Sequence, residues 1–134
     1  MKNSRIAAEG LVLLGCGKMG SAMLEGWLAR GLPPGSVWVI DPFPSDWLKA
    51  QGVHLNTALP AAPAIVLVAV KPQMMADSLP GLQAMGNAKT LFVSVAAGTP
   101  IAYFEQVLGS DTPVVRAMPN TPAAISQGIT AIVA

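Results

Sequence analysis

The 134-residue sequence predicts an α/β fold with a doubly wound, mostly parallel sheet in a single domain. Apolar strand-like runs alternate with helix-compatible segments, as in successive βαβ units. Several of these runs are apolar at nearly every position, which is typical of strands that helices cover on both faces. A chain of this length buries one core, so we expect residues 1–134 to form one domain.

The predicted elements follow one another along the whole chain. The expected strands are residues 11–14, 37–40, 65–70, 91–95, 114–117 and 129–133, and the expected helices are residues 18–30, 45–51, 73–85 and 100–108. In the first helix, Met23, Leu24 and Trp27 fall on one side, which favours packing on the sheet over a ligand pocket. Gly31 is expected to end this helix. Thr99 is a candidate N-cap for the last one.

Composition narrows the classes of function. Hydrophobic residues make up 52% of the chain and charged residues 11%, with a formal net charge of +1 and scattered basic residues, so nucleic-acid binding is not expected. The apolar runs are too short to span a membrane, and charged residues interrupt the N-terminus, so we expect a cytoplasmic protein. The single Cys16 and the single His54 cannot form a disulfide or a recognisable metal site. We expect Cys16 to be a small packing residue and His54 a surface strand residue.

A glycine pattern follows the first predicted strand directly. Gly15, Gly17 and Gly20 form Gly-x-Gly-x-x-Gly between an apolar run and a helix-forming stretch. In a Rossmann-like domain the first glycine permits a tight turn, the second lets phosphate oxygens approach the backbone, and the third lets the helix pack closely on the strand. The helix N-terminus offers free N–H groups to a pyrophosphate.

Asp41 ends the second predicted strand, about twenty residues after the glycine turn. Its carboxylate could accept hydrogen bonds from the adenosine ribose and repel a 2′-phosphate, which favours NADH over NADPH. An arginine shortly after Asp41 would favour NADPH, but residues 42–46 contain none. The alternative is structural, because an aspartate before proline also initiates turns.

Three later loops follow predicted strands. The first contains Lys71, the second is rich in small residues around Gly98, and the third carries the amide and hydroxyl groups of Asn120 and Thr121. Ligands bind at the carboxyl ends of strands in this fold class, although each loop is equally compatible with ordinary turn chemistry. No carboxylate pair and no nucleophile–histidine set can be assembled, so the catalytic residues stay unknown and a cofactor is expected to supply the chemistry.

Four sequence blocks together resemble the N-terminal, dinucleotide-binding domain of pyrroline-5-carboxylate reductases. The blocks are Gly-Cys-Gly-Lys-Met-Gly-Ser-Ala-Met from residue 15, Ala-Val-Lys-Pro from residue 69, Ser-Val-Ala-Ala-Gly from residue 94, and Arg-Ala-Met-Pro-Asn-Thr-Pro-Ala from residue 116. The resemblance implies reduction of 1-pyrroline-5-carboxylate to L-proline, the final step of proline biosynthesis, with NADPH or NADH as hydride donor.

The resemblance also implies which residues form the site. The expected cofactor-binding residues are Gly15, Cys16, Gly17, Lys18, Met19, Gly20, Asp41, Asn56, Ala69, Val70, Lys71, Pro72, Ala97 and Gly98. Asn120 and Thr121 are expected beside the nicotinamide and the substrate. Asn56 could instead be a turn residue.

Two departures from the family pattern bear on activity. The family's second, all-helical domain, which forms the homo-oligomer and supplies most of the substrate pocket, is absent from these 134 residues. We therefore expect cofactor binding without efficient turnover. Many family members have a small polar residue where this chain has Asp41, so the choice between NADH and NADPH stays open. The alternatives are a β-hydroxyacid- or prephenate-type dehydrogenase domain and a nonenzymatic NAD(P)-binding module.

Overall fold

A single parallel sheet organises the part of the chain that the computed structural model describes, which is residues 8–15, 18–60, 63–70, 72–85, 90–95 and 100–116. Within these residues the strand order is β3-β2-β1-β4-β5-β6, and every neighbouring pair is parallel. The strands are β1 (Leu11–Leu14), β2 (Val37–Ile40), β3 (His54–Leu55), β4 (Ile65–Val68), β5 (Leu91–Ser94) and β6 (Val114–Arg116). The predicted doubly wound α/β fold is confirmed.

Helices connect these strands. They are α1 (Lys18–Ala29), α2 (Asp46–Lys49), α3 (Pro72–Ser78) and α4 (Ile101–Leu108), with short 3-10 helices at Pro34–Ser36 and Leu79–Met85. Because each helical connection joins two parallel strands, it must cross over one face of the sheet.

The two faces of the sheet pack into two separate apolar clusters. On one face, Leu11 and Leu13 of β1 pack with Met23 and Trp27 of α1. On the other face, alternate residues of β1 and β4 pack with α3, α4 and the 3-10 helix between α3 and β5. β1 and β4 are therefore buried at all four of their positions, which explains why their sequences are continuously apolar. The prediction that Met23, Leu24 and Trp27 belong to the core is confirmed.

Local signals set several helix ends, and the end of α1 is the one expected from the sequence. Gly31 adopts φ +98°, and the N–H of Leu32 donates to the carbonyl of Trp27, which closes the end of α1. The hydroxyl of Ser45 accepts a hydrogen bond from Leu48 N–H at 3.1 Å and caps α2. The Thr99 prediction was wrong in position, because the N-cap of α4 is Pro100, which makes no side-chain cap hydrogen bond.

Other boundaries differ from the sequence prediction. The predicted helix over residues 73–85 is an α-helix only to Ser78 and continues as a 3-10 helix. Pro80 explains the change, since proline lacks an N–H and its ring clashes with the preceding helical turn. The predicted strands over residues 65–70 and 91–95 end earlier, at Val68 and Ser94. The predicted strand over residues 129–133 lies outside the described residues.

The sequence did not predict β3 as a separate element. Its two residues pair with β2, and the exposed His54 ring stacks on Trp38 with ring centroids 4.6 Å apart. His54 Nε2 also lies 3.0 Å from the carbonyl oxygen of Gly35. The expectation of a surface strand residue at position 54 is confirmed, and the stacked pair fixes this short edge strand against β2.

Candidate functional site

The strand order creates a crevice at the carboxyl ends of β1 and β4. From β1 the chain proceeds through α1 to β2 and β3 on one side, whereas β4 lies on the other side of β1 and leads to β5 and β6. Loops leaving β1 and β4 therefore diverge to opposite faces of the sheet. This topological switch point is where open α/β sheets bind their ligands.

Gly15 forms the turn directly at this switch point. Its φ is +81°, a conformation that L side chains rarely adopt. A Cβ atom built on Gly15 would lie 2.8 Å from Val70 Cγ1, 3.1 Å from the Val70 nitrogen and 3.2 Å from the Ala69 carbonyl carbon. The glycine therefore serves two purposes: it permits the turn and lets the loop after β1 approach the loop after β4. The turn role assigned to Gly15 from sequence is confirmed.

Backbone hydrogen bonds fix the first residue after several strands. The N–H of Gly15 donates to Ile40 O at 2.8 Å, and that of Ala69 donates to Leu14 O at 2.9 Å. The N–H of Val95 similarly donates to Val68 O at 3.1 Å. Each bond continues the ladder one residue beyond the strand. The loops that the sequence assigned to the cofactor thus begin from hydrogen-bonded positions along one edge of the sheet.

Helix α1 starts close to this turn. It begins at Lys18, and Gly20 is buried within its first turn. The first N–H groups of an α-helix have no partner within the helix, and the helix dipole places partial positive charge there. With Cys16 and Gly17 between Gly15 and the helix, the segment has the order of a strand, a glycine turn and a helix N-terminus that suits a phosphate group.

Asp41 and Asn56 hold each other at the carboxyl ends of β2 and β3. The N–H of Asp41 donates to Asn56 Oδ1 at 2.9 Å, and Asn56 Nδ2 donates to the Asp41 carbonyl oxygen at 2.8 Å. Asn56 itself has φ +51°, and its N–H donates to Val39 O at 2.8 Å. The turn interpretation of Asn56 is therefore confirmed. Both the oxygen and the nitrogen of its side-chain amide form hydrogen bonds with the Asp41 backbone.

The Asp41 carboxylate closes a turn of its own. Its Oδ1 accepts a hydrogen bond from Phe43 N–H at 2.9 Å, across Pro42. This is the structural role that the sequence left as an alternative. Among the described residues, the Phe43 N–H is the carboxylate's only donor. A carboxylate has about four lone-pair sites, so the turn leaves acceptor capacity for a ligand hydroxyl.

The structure brings part of the predicted site together. Gly15, Asp41, Asn56 and Ala69 directly follow strands that are neighbours in the sheet, and Val70 comes one residue after Ala69. Pro72 begins α3, as expected for a proline in the first turn. Lys18 and Met19 lie in the first turn of α1, and their side chains are outside the description. Cys16, Gly17, Lys71, Ala97, Gly98, Asn120 and Thr121 lie outside the described residues.

Two other kinds of feature are not found among the described residues. No group of three or more His, Cys, Asp or Glu side chains in this part of the chain is arranged to hold a metal ion. None of the helices over these residues has the length and apolar character needed to cross a membrane.

Comparison with known families identifies the chain. Residues 10–98 match the family described as NADP oxidoreductase, coenzyme F420-dependent. The chain belongs to this family. The matched residues of this chain run from just before β1 to just after β5. They include Gly15, Asp41, Asn56 and the loop after β4.

Individual relatives confirm the resemblance found in the sequence. The chain is 36% identical over 129 residues to the pyrroline-5-carboxylate reductase of Escherichia coli, covering 89% of this chain and 47% of that relative. The chain thus spans about half the length of the curated relatives it matches. The family match over residues 10–98 contains three of the four blocks that carried the resemblance, those that begin at residues 15, 69 and 94.

Solved structures agree on the fold. A pyrroline-5-carboxylate reductase from Coxiella burnetii superposes with a TM-score of 0.76 at 29% identity, covering 87% of this chain and 46% of that one. A pyrroline carboxylate reductase from Plasmodium falciparum, whose structure contains NADP, superposes with a TM-score of 0.71 at 24% identity, covering 93% and 45%. The described part of this chain therefore has the fold of about half of each of these enzymes.

Proposed function

We propose that residues 1–134 form the dinucleotide-binding domain of a pyrroline-5-carboxylate reductase. In this proposal the domain holds NADPH or NADH for the reduction of 1-pyrroline-5-carboxylate to L-proline. The observation that carries it is the Gly15 turn, which lies at the switch point between β1 and β4 and leads into the N-terminus of α1. The family membership and the 36% identity to the Escherichia coli enzyme support the same reaction.

The residues present suit a dinucleotide. Gly15 brings the backbone beside β4, and the first turn of α1 presents N–H groups with positive dipole character to a diphosphate. Asp41, held by Asn56, presents acceptor oxygens at the end of β2 for the adenosine ribose. Ala69 and Val70 line the crevice on the side of β4, where the nicotinamide half would lie.

The chemistry divides between cofactor and protein. A bound reduced nicotinamide supplies the hydride for the imine carbon of the substrate. The chain's task is to orient the dinucleotide, through the glycine turn at its centre and the ends of β2 and β4 on either side. Asn120 and Thr121 remain proposed as neighbours of the nicotinamide and the substrate.

The substrate pocket belongs in this proposal to a second, helical domain that also forms a homo-oligomer. The chain spans less than half of the Escherichia coli relative, which leaves room for such a domain in that protein. We therefore propose that residues 1–134 bind the dinucleotide but do not turn over substrate efficiently alone. The proposed reaction takes place in the cytoplasm.

Titration calorimetry tests cofactor binding. The chain is titrated with NADPH and NADH, beside a Gly17→Val variant whose secondary structure is checked by circular dichroism. Binding of at least one dinucleotide by the wild type, and loss of that binding in the variant, are expected. Failure of the wild type to bind either dinucleotide would contradict the proposal.

A chimera tests the reaction. Residues 1–134 replace the aligned half of the Escherichia coli reductase, and nicotinamide oxidation is followed with 1-pyrroline-5-carboxylate. Activity that disappears with Gly17→Val is expected. A chimera that binds dinucleotide without reducing the imine would favour a nonenzymatic or different dehydrogenase module. Efficient turnover by the isolated chain would refute the division of labour between two domains.

A further inference from the structure

Phe43 is the most exposed large apolar side chain among the described residues. Its side chain is 85% exposed, whereas Met74, Ile101 and Val115, the other exposed large apolar residues there, lie between 36% and 39%. Single apolar residues at a surface need no explanation in general. A phenyl ring that is almost wholly in water, in a domain whose other aromatic rings are largely packed, nevertheless forgoes most of the free energy that burial would supply.

The backbone that carries this ring is held firmly. Phe43 N–H donates to Asp41 Oδ1 at 2.9 Å, and Asp41 is in turn gripped through both backbone polar groups by Asn56. Pro42 and Pro44 flank Phe43, and each fixes its own φ. The ring is therefore displayed on an ordered turn. A ligand that contacts it does not have to order the loop first, which lowers the cost of binding.

The turn lies beside the proposed ribose position. Asp41 directly follows β2, and the Gly15 N–H donates to Ile40 at the end of the same strand. In a doubly wound fold an acidic residue here receives the ribose of the adenosine half. The base is joined to that ribose by a single glycosidic bond. A ring two residues beyond Asp41 is thus near the position that the base would occupy when the ribose lies beside Asp41.

We propose that the Phe43 ring stacks on the adenine of the bound dinucleotide. This inference rests on the proposed function, because it requires a dinucleotide in the crevice. Aromatic side chains stack on nucleic bases through their flat faces, without needing hydrogen-bond donors or acceptors from the base. The turn then offers both parts of adenosine a partner: carboxylate oxygen for the ribose and an apolar face for the base.

The distribution of the other exposed large apolar residues in the described part of the chain argues against a protein partner on this surface. Val115 lies in β6, which β1, β4 and β5 separate from β2 in the sheet. Met74 and Ile101 lie in α3 and α4, whose cluster is on the face opposite α1. Phe43 is therefore not part of a patch that these residues form, and a single ring suits a small flat ligand.

Three substitutions of Phe43 separate stacking from simple apolar contact. Phe43→Leu keeps an apolar side chain without a flat face, Phe43→Ala removes it, and Phe43→Trp enlarges the aromatic face. Val115→Ala, at another exposed apolar position, is the matched control. Binding of NADH and NADPH is measured by calorimetry, and the free energy of unfolding is measured beside it.

The expected result is a Kd raised about tenfold by Phe43→Leu and Phe43→Ala for whichever dinucleotide the wild type binds. Where both bind, both are weakened by the same factor because they share adenine. Phe43→Trp leaves the Kd within about twofold of the wild type or tightens it, and Val115→Ala leaves it within about twofold. The free energies of unfolding of the three Phe43 variants stay unchanged because the Phe43 ring is exposed.

Several results would overturn the stacking proposal. A wild-type Kd in Phe43→Leu, or a Phe43→Trp variant as weak as Phe43→Ala, excludes stacking. Self-association of the wild type that Phe43→Ala abolishes, with the Kd unchanged, would assign the ring to a contact between two copies of the chain. A wild type that binds neither dinucleotide would instead defeat the proposed function, which distinguishes the two failures.

Discussion

Replacing Gly15 by alanine tests the geometry at the switch point. The backbone there has φ +81°, and an added Cβ would stand 3.1 Å from the Val70 nitrogen and 3.2 Å from the Ala69 carbonyl carbon. A left-handed conformation costs a residue with a Cβ about 1–2 kcal/mol. Crowding against atoms that cannot rotate away adds about 1–3 kcal/mol. We expect Gly15→Ala to lower the free energy of unfolding by about 2–5 kcal/mol.

Two other glycines separate these contributions. Gly52 also has a positive φ, of +79°, but an added Cβ would meet only Pro34 Cβ at 3.8 Å, which is an ordinary contact. Gly35 has no atom within 4 Å of such a Cβ. Gly52→Ala should therefore show the backbone cost alone, about 1–2 kcal/mol, and Gly35→Ala should be neutral or slightly stabilising.

Urea unfolding followed by circular dichroism measures all three variants. The loss in free energy of unfolding caused by Gly15→Ala, minus that caused by Gly52→Ala, measures the cost of crowding between the loops after β1 and β4. Equal destabilisation of these two variants would refute the close packing inferred at Gly15. Dinucleotide binding, measured on the folded fraction, should be weakened by Gly15→Ala and unchanged in the other two, because only Gly15 lies at the crevice.

Three further substitutions test individual parts of the site. Asp41→Ser keeps an acceptor for the Phe43 N–H but removes the negative charge, so NADPH binding should strengthen by about 1–3 kcal/mol. An NADPH affinity unchanged in calorimetry would remove the argument that Asp41 disfavours the 2′-phosphate. Asn56→Gly keeps the left-handed backbone and deletes both side-chain hydrogen bonds to Asp41, so the free energy of unfolding should fall by about 1–3 kcal/mol. An unchanged denaturation midpoint would mean that these two hydrogen bonds do not contribute to stability. Gly17→Val should abolish binding of both dinucleotides in a folded protein, and retained affinity would show that the turn is only structural.

Much of the fold could be predicted from local sequence. β1 and β2 were located to the residue because each is a short apolar run that ends in a strong boundary, Gly15 in one case and Asp41 in the other. The end of α1 at Gly31 followed from glycine's tolerance of a positive φ. The 3-10 segment after Ser78 could also have been predicted, because Pro80 stands within the proposed helix.

The parts that local sequence did not predict depend on contacts between distant residues. β3 has only two residues, too few for a periodic signal, and is held by pairing with β2 and by the His54–Trp38 stack. The hydrogen bonds between Asp41 and Asn56 join residues 15 positions apart, and they form only because the pairing of β2 and β3 brings these residues together. Phe43 gave no signal because its exposure depends on the turn that Asp41 closes.

The most direct test is a crystal structure of this chain grown with NADP or NAD. We expect the diphosphate between the Gly15 turn and the N-terminus of α1, the adenosine ribose beside Asp41, and the adenine against Phe43. A dinucleotide bound away from the carboxyl ends of β1 and β4, or a side chain filling the space beside Gly15, would show that the switch point does not bind the cofactor.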